Sequence, residues 1–351
     1  MQVDYIIVGQ GLAGSAVAVQ LLRRGKRIVV FDDPSSNNSS RIAAGLFNPV
    51  TGKKMVRTWL ADKVFPYLGE YYRSLEARDT QKFFHPMSLI RPFVSIEEQN
   101  DWMARAGEDA YKPFIKKVIT GAFQDGVHSA YGGLLLDQCG FLNTGKYIQA
   151  VRILIEQQGT LCSEVFSVDA MKVSESSIVY REIKASKIIF CTGVHENKYF
   201  SWLPIRSLKG EVLSLKMDLD EDFIVNRGVY LVPAGEKIWK AGATYFFHDQ
   251  VPGITNEARV ELVGKINELV SVPYEILDQQ WGFRPTTPDR RPILGAHPRY
   301  KNVIVFNGLG TKGVSLAPYF SEVLVHWMEK GGTINKEVDI DRFKSVYSAS
   351  S

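Results

Sequence analysis

The sequence predicts an α/β fold with an added mixed-β part: a Rossmann-type dinucleotide-binding domain built from separated stretches of chain, with an antiparallel-sheet domain inserted between them. Three observations carry this. Near the N-terminus an apolar run, a glycine-rich turn, a helical stretch and a second apolar run follow one another as strand, turn, helix and strand. Apolar strand-like runs return at 187–193 and 303–306, the later one leading into another glycine turn and a helix. Between these pieces, from about residue 83, the texture changes to short strand-like runs with few long helices. The reading places the first domain at 1–78, 141–202 and 285–351, and the second at 79–140 and 203–284.

Tyr5 to Val8 is a short continuous apolar run, as a parallel strand buried on both faces requires. Ala13 to Arg24 reads as a helix: Gly14, Val17, Ala18 and Leu21 fall on one face, and Arg23 and Arg24 sit where the helix dipole favours cations. Arg27 to Phe31 is the second strand. Pro34 to Arg41 is a polar loop, and Ala43 to Lys54, with Gly45, Pro49 and Gly52, reads as an irregular loop. Helices are expected at Lys63–Leu75, Ile96–Arg105, Thr144–Gln158, Glu257–Val270 and from about Val314 to Met328. Strands are expected at Phe84–Ile90, Glu211–Leu215, Gly228–Val232, Ile238–Ala243 and Val303–Phe306.

Bulk properties bound the function. Hydrophobic residues make up 45% and charged residues 23%, an ordinary globular balance that supports a sizeable core without disulfides or metals. The net charge is +4, with no block of five or six like charges, so a nucleic-acid partner is not expected. Cys139, Cys162 and Cys191 fit neither a disulfide framework nor a zinc motif, which points to a reducing, cytoplasmic setting. The six histidines are isolated, so no metal is expected. No apolar run of membrane-spanning length exists, and Asp4 and the glycines interrupt the N-terminal apolar stretch, so neither a span nor a signal peptide is expected.

Gly9-Gln10-Gly11-Leu12-Ala13-Gly14 matches G-x-G-x-x-G, and its strand-before, helix-after context is the one that gives the motif meaning. The glycines permit a tight turn and close approach to a pyrophosphate, and the helix N-terminus offers N–H donors and partial positive charge. Asp32, about twenty residues on, is placed to accept from ribose hydroxyls, with Asp33 as the neighbouring competitor. An acid there, in place of an Arg, argues against a 2′-phosphate. The fingerprint alone leaves NAD and FAD open.

Three later motifs bear a resemblance. Lys187-Ile-Ile-Phe-Cys-Thr-Gly193 is similar to an apolar strand ending in Ala-Thr-Gly, Gly282-Phe-Arg-Pro-Thr-Thr-Pro-Asp289 with Pro292 and Gly295 to G-x-R-P-x-T-P-D…P…G, and Asn307-Gly-Leu-Gly-Thr-Lys-Gly313 to a C-terminal flavin turn. In this order the chain resembles, over nearly its whole length, the D-amino-acid oxidase-like family of FAD-dependent oxidoreductases, which includes glycine and sarcosine oxidases. The resemblance implies FAD, a first domain that binds it and a second that binds substrate. It also implies oxidation of the C–N bond of a small amine or amino acid by hydride transfer to flavin N5, with oxygen or another acceptor taking the electrons.

The resemblance distributes roles along the chain. Thr192 and Gly193 close the cofactor strand. Gly308, Gly310, Thr311, Lys312 and Gly313 form the late turn, whose donors at 310–313 would stabilise the negative charge of reduced flavin as an oxyanion hole does. Lys312 either adds a positive charge there or is a solvated lysine. Ser40 and Arg41, with Ala44, Gly45 and Leu46, resemble the loop over the flavin's inner face, and Val165 the position whose backbone amide reads adenine. Arg284 would clamp a substrate carboxylate, because a guanidinium presents a planar pair of donors; pairing with Asp289 is its structural alternative. Tyr230 matches a position meeting the carboxylate and Tyr245 one lining the pocket; for both, a core aromatic of a strand is the alternative.

Two departures matter. No cysteine stands near Gly282, where sarcosine-oxidase-like members tether flavin, so FAD is expected to be non-covalent. Ser315 stands where those members carry a lysine, which throws carboxylate binding onto Arg284. The competing readings are a same-fold flavoenzyme acting on a modified tRNA nucleoside, suggested by Gly45-Leu46-Phe47-Asn48-Pro49, an NAD-dependent dehydrogenase, and a non-catalytic nucleotide-binding protein.

Overall fold

The computed structural model describes residues 1–33, 39–52, 54–77, 81–247 and 251–350. Part of the expected polar loop, 34–38, and the expected boundary at 78/79 lie outside the described residues. The chain forms two compact units. The first comprises Met1–Arg41, Thr144–Leu208 and Phe283–Ser351, the second Ile42–Asn143 and Lys209–Gly282. Residues 42–77 thus belong with the inserted segments and not, as the sequence predicts, with the first domain. The cause is pairing: the short strand Leu46–Phe47 joins Gly140–Leu142, which also pairs with Phe84–Pro86.

In the first unit, β1 (Gln2–Val8), α1 (Leu12–Arg23), β2 (Ile28–Phe31), α2 (Thr144–Gln158), β3 (Ile183–Phe190), β4 (Val303–Asn307) and α3 (Gly313–Lys330) build the main framework. Parallel pairing runs from Thr160–Cys162 through β2, β1 and β3 to β4, so β1 is central in a row of strands gathered from distant stretches of chain. Its residues Ile6 and Ile7 are fully buried, as the unbroken apolar run anticipates. One core cluster gathers Ile6, Phe31, Phe166, Tyr180 and Phe190, with rings of Phe166 and Tyr180 stacked at 4.1 Å. Residues 12–22 of α1 are all buried, because the helix packs against both α2 and α3.

The second unit is built on an eight-stranded sheet in the order Tyr274–Thr286, Arg206–Met217, Ile238–Gly242, Val229–Gly235, Phe223–Arg227, Ser88–Pro92, Gly133–Leu136 and Ile115–Ile119. Most of its pairings are antiparallel, but Phe223–Arg227 runs parallel to Ser88–Pro92, so the sheet is mixed rather than wholly antiparallel. That parallel joint is where the two inserted segments join within the sheet. The single strand expected at Phe84–Ile90 is two, in different sheets: Phe84–Pro86 and Ser88–Pro92. Pro86 has no N–H to continue a ladder, and Met87 instead donates to the Cys139 carbonyl at 3.1 Å.

One face of this sheet carries Leu213, Leu231, Trp239 and Ala241 against Leu262 and Ile266 of the helix Asn256–Leu269. The helix starts at Thr255, whose hydroxyl accepts from the Ala258 N–H at 3.2 Å. Two fully buried charges anchor the same helix start. Glu211 accepts from the Thr255 hydroxyl (2.8 Å) and N–H (3.0 Å) and from Gln279 Nε2 (2.7 Å), with Lys209 Nζ 3.8 Å away.

Candidate functional site

The dinucleotide turn is built by backbone contacts that only glycine permits. Gly9 has φ +95°, and a β-carbon there would lie 2.5 Å from the Cys191 carbonyl oxygen. A β-carbon on Gly14 would fall 1.8 Å from the Gly9 oxygen. The first turn of α1 has no side-chain cap from Gly11; the Leu12 N–H is met by Ser40 Oγ at 3.2 Å. Among the described residues, no protein acceptor meets the Ala13 and Gly14 N–H groups. Those two donors at a helix N-terminus, over a floor without β-carbons, fit a pyrophosphate.

Asp32 lies at the end of β2, nine-tenths buried, as the fingerprint anticipates. Its surroundings correct the sequence argument, which set the acid against a nearby Arg. Oδ1 accepts the Gln10 N–H (2.9 Å), while Arg41 Nη2 lies 3.3 Å and Arg152 Nη1 3.9 Å from Oδ2. Arg41 therefore lies against the Asp32 carboxylate, and Arg152, projecting from α2, is a neighbour of Asp32 that sequence reasoning misses. Nothing near Arg152 in sequence marks it; its position depends on α2 packing beside α1. Asp33 follows, partly exposed. Val165 is 67% exposed on the segment after Thr160–Cys162.

The late turn is bound to its surroundings at both ends. Asn307 Nδ2 donates to the Gly193 carbonyl at 2.7 Å, tying the β4 turn to the Thr192–Gly193 turn after β3. Gly310, φ +55°, donates its N–H to the Pro285 carbonyl at 2.8 Å, so the residue after Arg284 is fastened to the turn. The expectation that donors at 310–313 all face a flavin is corrected here. Gly310 is committed to Pro285, and the Lys312 N–H to the Leu309 carbonyl at 3.1 Å. Among the described residues, the Thr311 and Gly313 N–H groups have no protein acceptor and are the donors left. Gly308, φ +73°, fits beside Thr287.

Gly313 opens α3 directly against the first turn of α1: a β-carbon on it would lie 2.9 Å from Leu12 Cδ1. The two glycine turns, from opposite ends of the sequence, therefore share one edge of the first unit. Lys312 sits at the N-cap of α3 and is not a freely solvated lysine. Burial, with Arg291 and then Arg290 nearby, pulls its pKa down to about 8. Arg284 occupies the end of the strand Tyr274–Thr286, partly exposed. Its structural alternative, Asp289, is engaged elsewhere, by Arg342 Nε at 2.9 Å and the Arg291 N–H at 3.0 Å.

The remaining expected residues belong to the second unit. Ala44 is buried and Leu46 begins a short strand. Gly45, φ +76°, is required by its own unit, since a β-carbon would meet the Leu142 carbonyl oxygen at 1.8 Å. Tyr230 is half-buried on Val229–Gly235, its hydroxyl 2.9 Å from where a β-carbon on Gly242 would be. Tyr245 is 55% exposed, so it is not a core aromatic. Lys240 escapes the sequence reading. It pairs with Val232, two residues along from Tyr230, which puts it on the Tyr230 face and opposite the Trp239 core. Burial lowers its pKa, and its Nζ reaches the Ile42 carbonyl at 3.5 Å. A lysine between apolar neighbours on an alternating strand is the signal that could have found it.

A family model described as FAD dependent oxidoreductase (DAO) matches residues 4–327. The chain belongs to this family. The bifunctional protein MnmC of Marinobacter nauticus, named for tRNA 5-methylaminomethyl-2-thiouridine biosynthesis, is 24% identical over 91% of the chain and 54% of its own length. The bifunctional protein ThiO/ThiG of a Nostoc species is 23% identical over 90% of the chain and 51% of its own. The chain thus spans about half the length of these curated relatives. Glycine oxidase from Bacillus cereus superposes with a TM-score of 0.75 at 18% identity, covering 94% of this chain and 96% of that one. Iminodiacetate oxidase from a Chelativorans species gives 0.77 at 16%, covering 95% and 98%. As a DAO-family member the chain is an FAD-dependent oxidoreductase, and the NAD-dependent and non-catalytic readings fall away. Cys139, Cys162 and Cys191 are free, and among the described residues no helix is long and apolar enough to cross a membrane and no cluster could hold a metal.

Proposed function

We propose that this DAO-family protein oxidises the C–N bond of a small amine or amino acid, with Arg284 binding the substrate carboxylate. The observation that supports this is the Gly310 N–H to Pro285 carbonyl bond, which fastens the Arg284 strand end to the late glycine turn. Ala13 and Gly14 would hold the FAD pyrophosphate, Asp32 a ribose, and Thr311, Gly313 and Lys312 the electron-rich edge of the ring system. FAD, when bound non-covalently there, supplies the two-electron acceptor.

The chain's own residues then have definite tasks. Arg284 offers two parallel donors that fix a carboxylate, and with it the carbon that loses hydrogen. Tyr230 can add a hydroxyl donor, and Tyr245 an aromatic wall. Thr311 and Gly313 present fixed donors where negative charge develops, which needs no reorganisation during the reaction. The substrate leaves as an imine, having given up two electrons and two protons, and water hydrolyses it. Oxygen or another acceptor reoxidises the protein.

An anaerobic screen of amino acids and N-methyl amines, watching the flavin absorbance bleach, tests the reading. Bleaching by an amino acid that Arg284→Ala abolishes at equal concentration supports it. Bleaching only by substrates without a carboxylate sinks the clamp. A second reading, turnover of a secondary amine on a modified tRNA nucleoside, draws support from the similarity to MnmC over 91% of the chain. Bleaching by such tRNA, and by no free amine, would favour it.

A further inference from the structure

A cleft of about 400 Å³ lies on the first unit, lined by none of the residues assigned to cofactor or substrate. Its walls come from the 198–202 segment after β3, from the 297–300 turn before β4, and from Tyr347 on the helix Lys344–Ser350. The volume falls in the range of small-ligand sites, about 300–1,000 Å³.

The lining is aromatic with a cationic rim. His297, 5% exposed, is the floor, with ring centroids of Tyr300 at 5.2 Å, Tyr347 at 5.3 Å and Tyr199 at 6.0 Å. Trp202 packs on Tyr347 at 5.1 Å, and its Nε1 is fixed by the Tyr199 carbonyl at 2.9 Å. These rings hold one another, so little side-chain freedom is lost when a further ring enters. His297 Nδ1 accepts the Arg299 and Tyr300 N–H groups at 3.1 and 3.2 Å. Its pKa is pushed down to about 4 by burial and then by Lys301 and Arg299, so the floor is neutral.

On the rim, the exposed Arg299 places Cζ 5.3 Å from the Tyr300 ring centroid and makes no ion pair among the described residues. Lys198 lies 6.0 Å over the Tyr199 ring and pairs with Asp169 at 2.6 Å, a pair whose side chains are 53% and 90% exposed. Exposed pairs of this kind contribute little and exchange readily for a stronger anion. Flat apolar rings beside such cations match a ligand that joins a planar ring to a phosphate.

We infer that this cleft binds a nucleotide, its base among Trp202, Tyr300 and Tyr347 and its phosphate at Arg299 and Lys198. The nucleotide is either free or part of a single strand. The sequence expectation of no nucleic-acid partner rests on counting consecutive charges, which cannot see cations brought together from residues 198 and 299.

The test uses the FAD-loaded protein, so that the cofactor site is filled. A fluorescently labelled oligouridylate is titrated by anisotropy and uridine monophosphate by calorimetry. Binding of either supports the inference if Arg299→Glu weakens it about tenfold or more and lowers the salt dependence by about one ion. Trp202→Leu should weaken it as well. Binding of both probes identifies free nucleotide as sufficient; binding of the oligomer alone identifies a strand. The inference is overturned if neither binds at millimolar concentration, if binding ignores Arg299→Glu, or if inorganic polyphosphate competes as well as the oligomer. An unchanged flavin spectrum and thermal midpoint in Arg299→Glu confirm that the variant is folded. Anaerobic bleaching by amines is a separate readout, and its failure would not touch this one.

Discussion

Gly14 lies so close under Gly9 that a β-carbon on it would sit 1.8 Å from the Gly9 carbonyl oxygen. At Gly313 the equivalent atom meets only the Leu12 side chain, with Cδ1 nearest at 2.9 Å. The two contacts differ in kind. A backbone carbonyl inside a strand–helix turn cannot retreat, whereas a leucine methyl can rotate away.

Gly14→Ala should therefore prevent FAD uptake, while Gly313→Ala should keep it with weaker affinity. The ratio of flavin to protein absorbance after purification decides this. Equal flavin content in the two variants would contradict the assignment of Gly14 to the pyrophosphate cradle.

Asp32 is held by a backbone N–H and faced by two arginines. Asp32→Ala leaves Arg41 and Arg152 facing one another without their carboxylate. A hydrogen bond to a charged group contributes about 1.5–3 kcal/mol, so the Kd for FAD should rise roughly tenfold to a hundredfold. Arg152→Ala should weaken FAD binding in the same direction but less, since its nitrogen stands 3.9 Å from the carboxylate. Fluorescence titration of the stripped protein measures both.

Arg284→Lys keeps the charge and loses the planar pair of donors. KM for the best amino-acid substrate should rise about tenfold or more, with a smaller change in kcat, because carboxylate binding is made in ground and transition states alike. A variant with unaltered KM would leave Arg284 a structural residue.

Lys312 gives a pH dependence of stated sign. Its pKa falls from 10.5 to about 8 in the folded protein, chiefly through burial and then through Arg291 and Arg290. Below about pH 8 it is charged in both folded and unfolded chains, and the folded state bears the penalty in full. Between about 8 and 10.5 the folded protein releases the proton first, so this group's contribution to apoprotein stability improves as pH rises. Anionic cofactor favours the protonated form, so FAD affinity should weaken over the same rise. Lys312→Met should flatten that pH dependence of Kd. A wild-type Kd that stays level across the window would remove Lys312 from the site.

Glu211 and Lys209 are a fully buried pair of opposite charges. Glu211→Ala should cost about 3–5 kcal/mol of unfolding free energy, because it leaves the Lys209 charge buried without its carboxylate. Denaturant melting of the variant against wild type would show it. A loss within experimental error would mean that other groups compensate the Lys209 charge.

The first βαβ unit is legible because its signals are local: an unbroken apolar strand, a glycine turn, and an acid at the end of the next strand. The helices Ile96–Arg105 and Thr144–Gln158 are predicted at their observed bounds for the same reason, period and caps being adjacent in sequence. What escapes is set by packing at long range. Arg152 reaches Asp32 only because α2 lies beside α1. Lys240 shares a face with Tyr230 only through the register of two strands. Gly310 and Lys312 look like flavin donors until the Pro285 and Leu309 carbonyls claim their N–H groups. Residues 42–77 change units because Leu46–Phe47 pairs with Gly140–Leu142, a strand far along the chain.

The placement of β1 has a consequence for synthesis. It gains its second neighbour, β3, only once Phe190 has been made, and β3 gains β4 only once Asn307 has. Until Phe190 is made the nascent β1 stays unpaired on one edge, with an apolar helix beside it, and from then until Asn307 the open edge is that of β3. A ribosome-bound chain halted shortly before Val303 should not retain flavin and should yield to protease along β3, whose β4 edge is still open, which makes the acquisition of cofactor a late event in the protein's production.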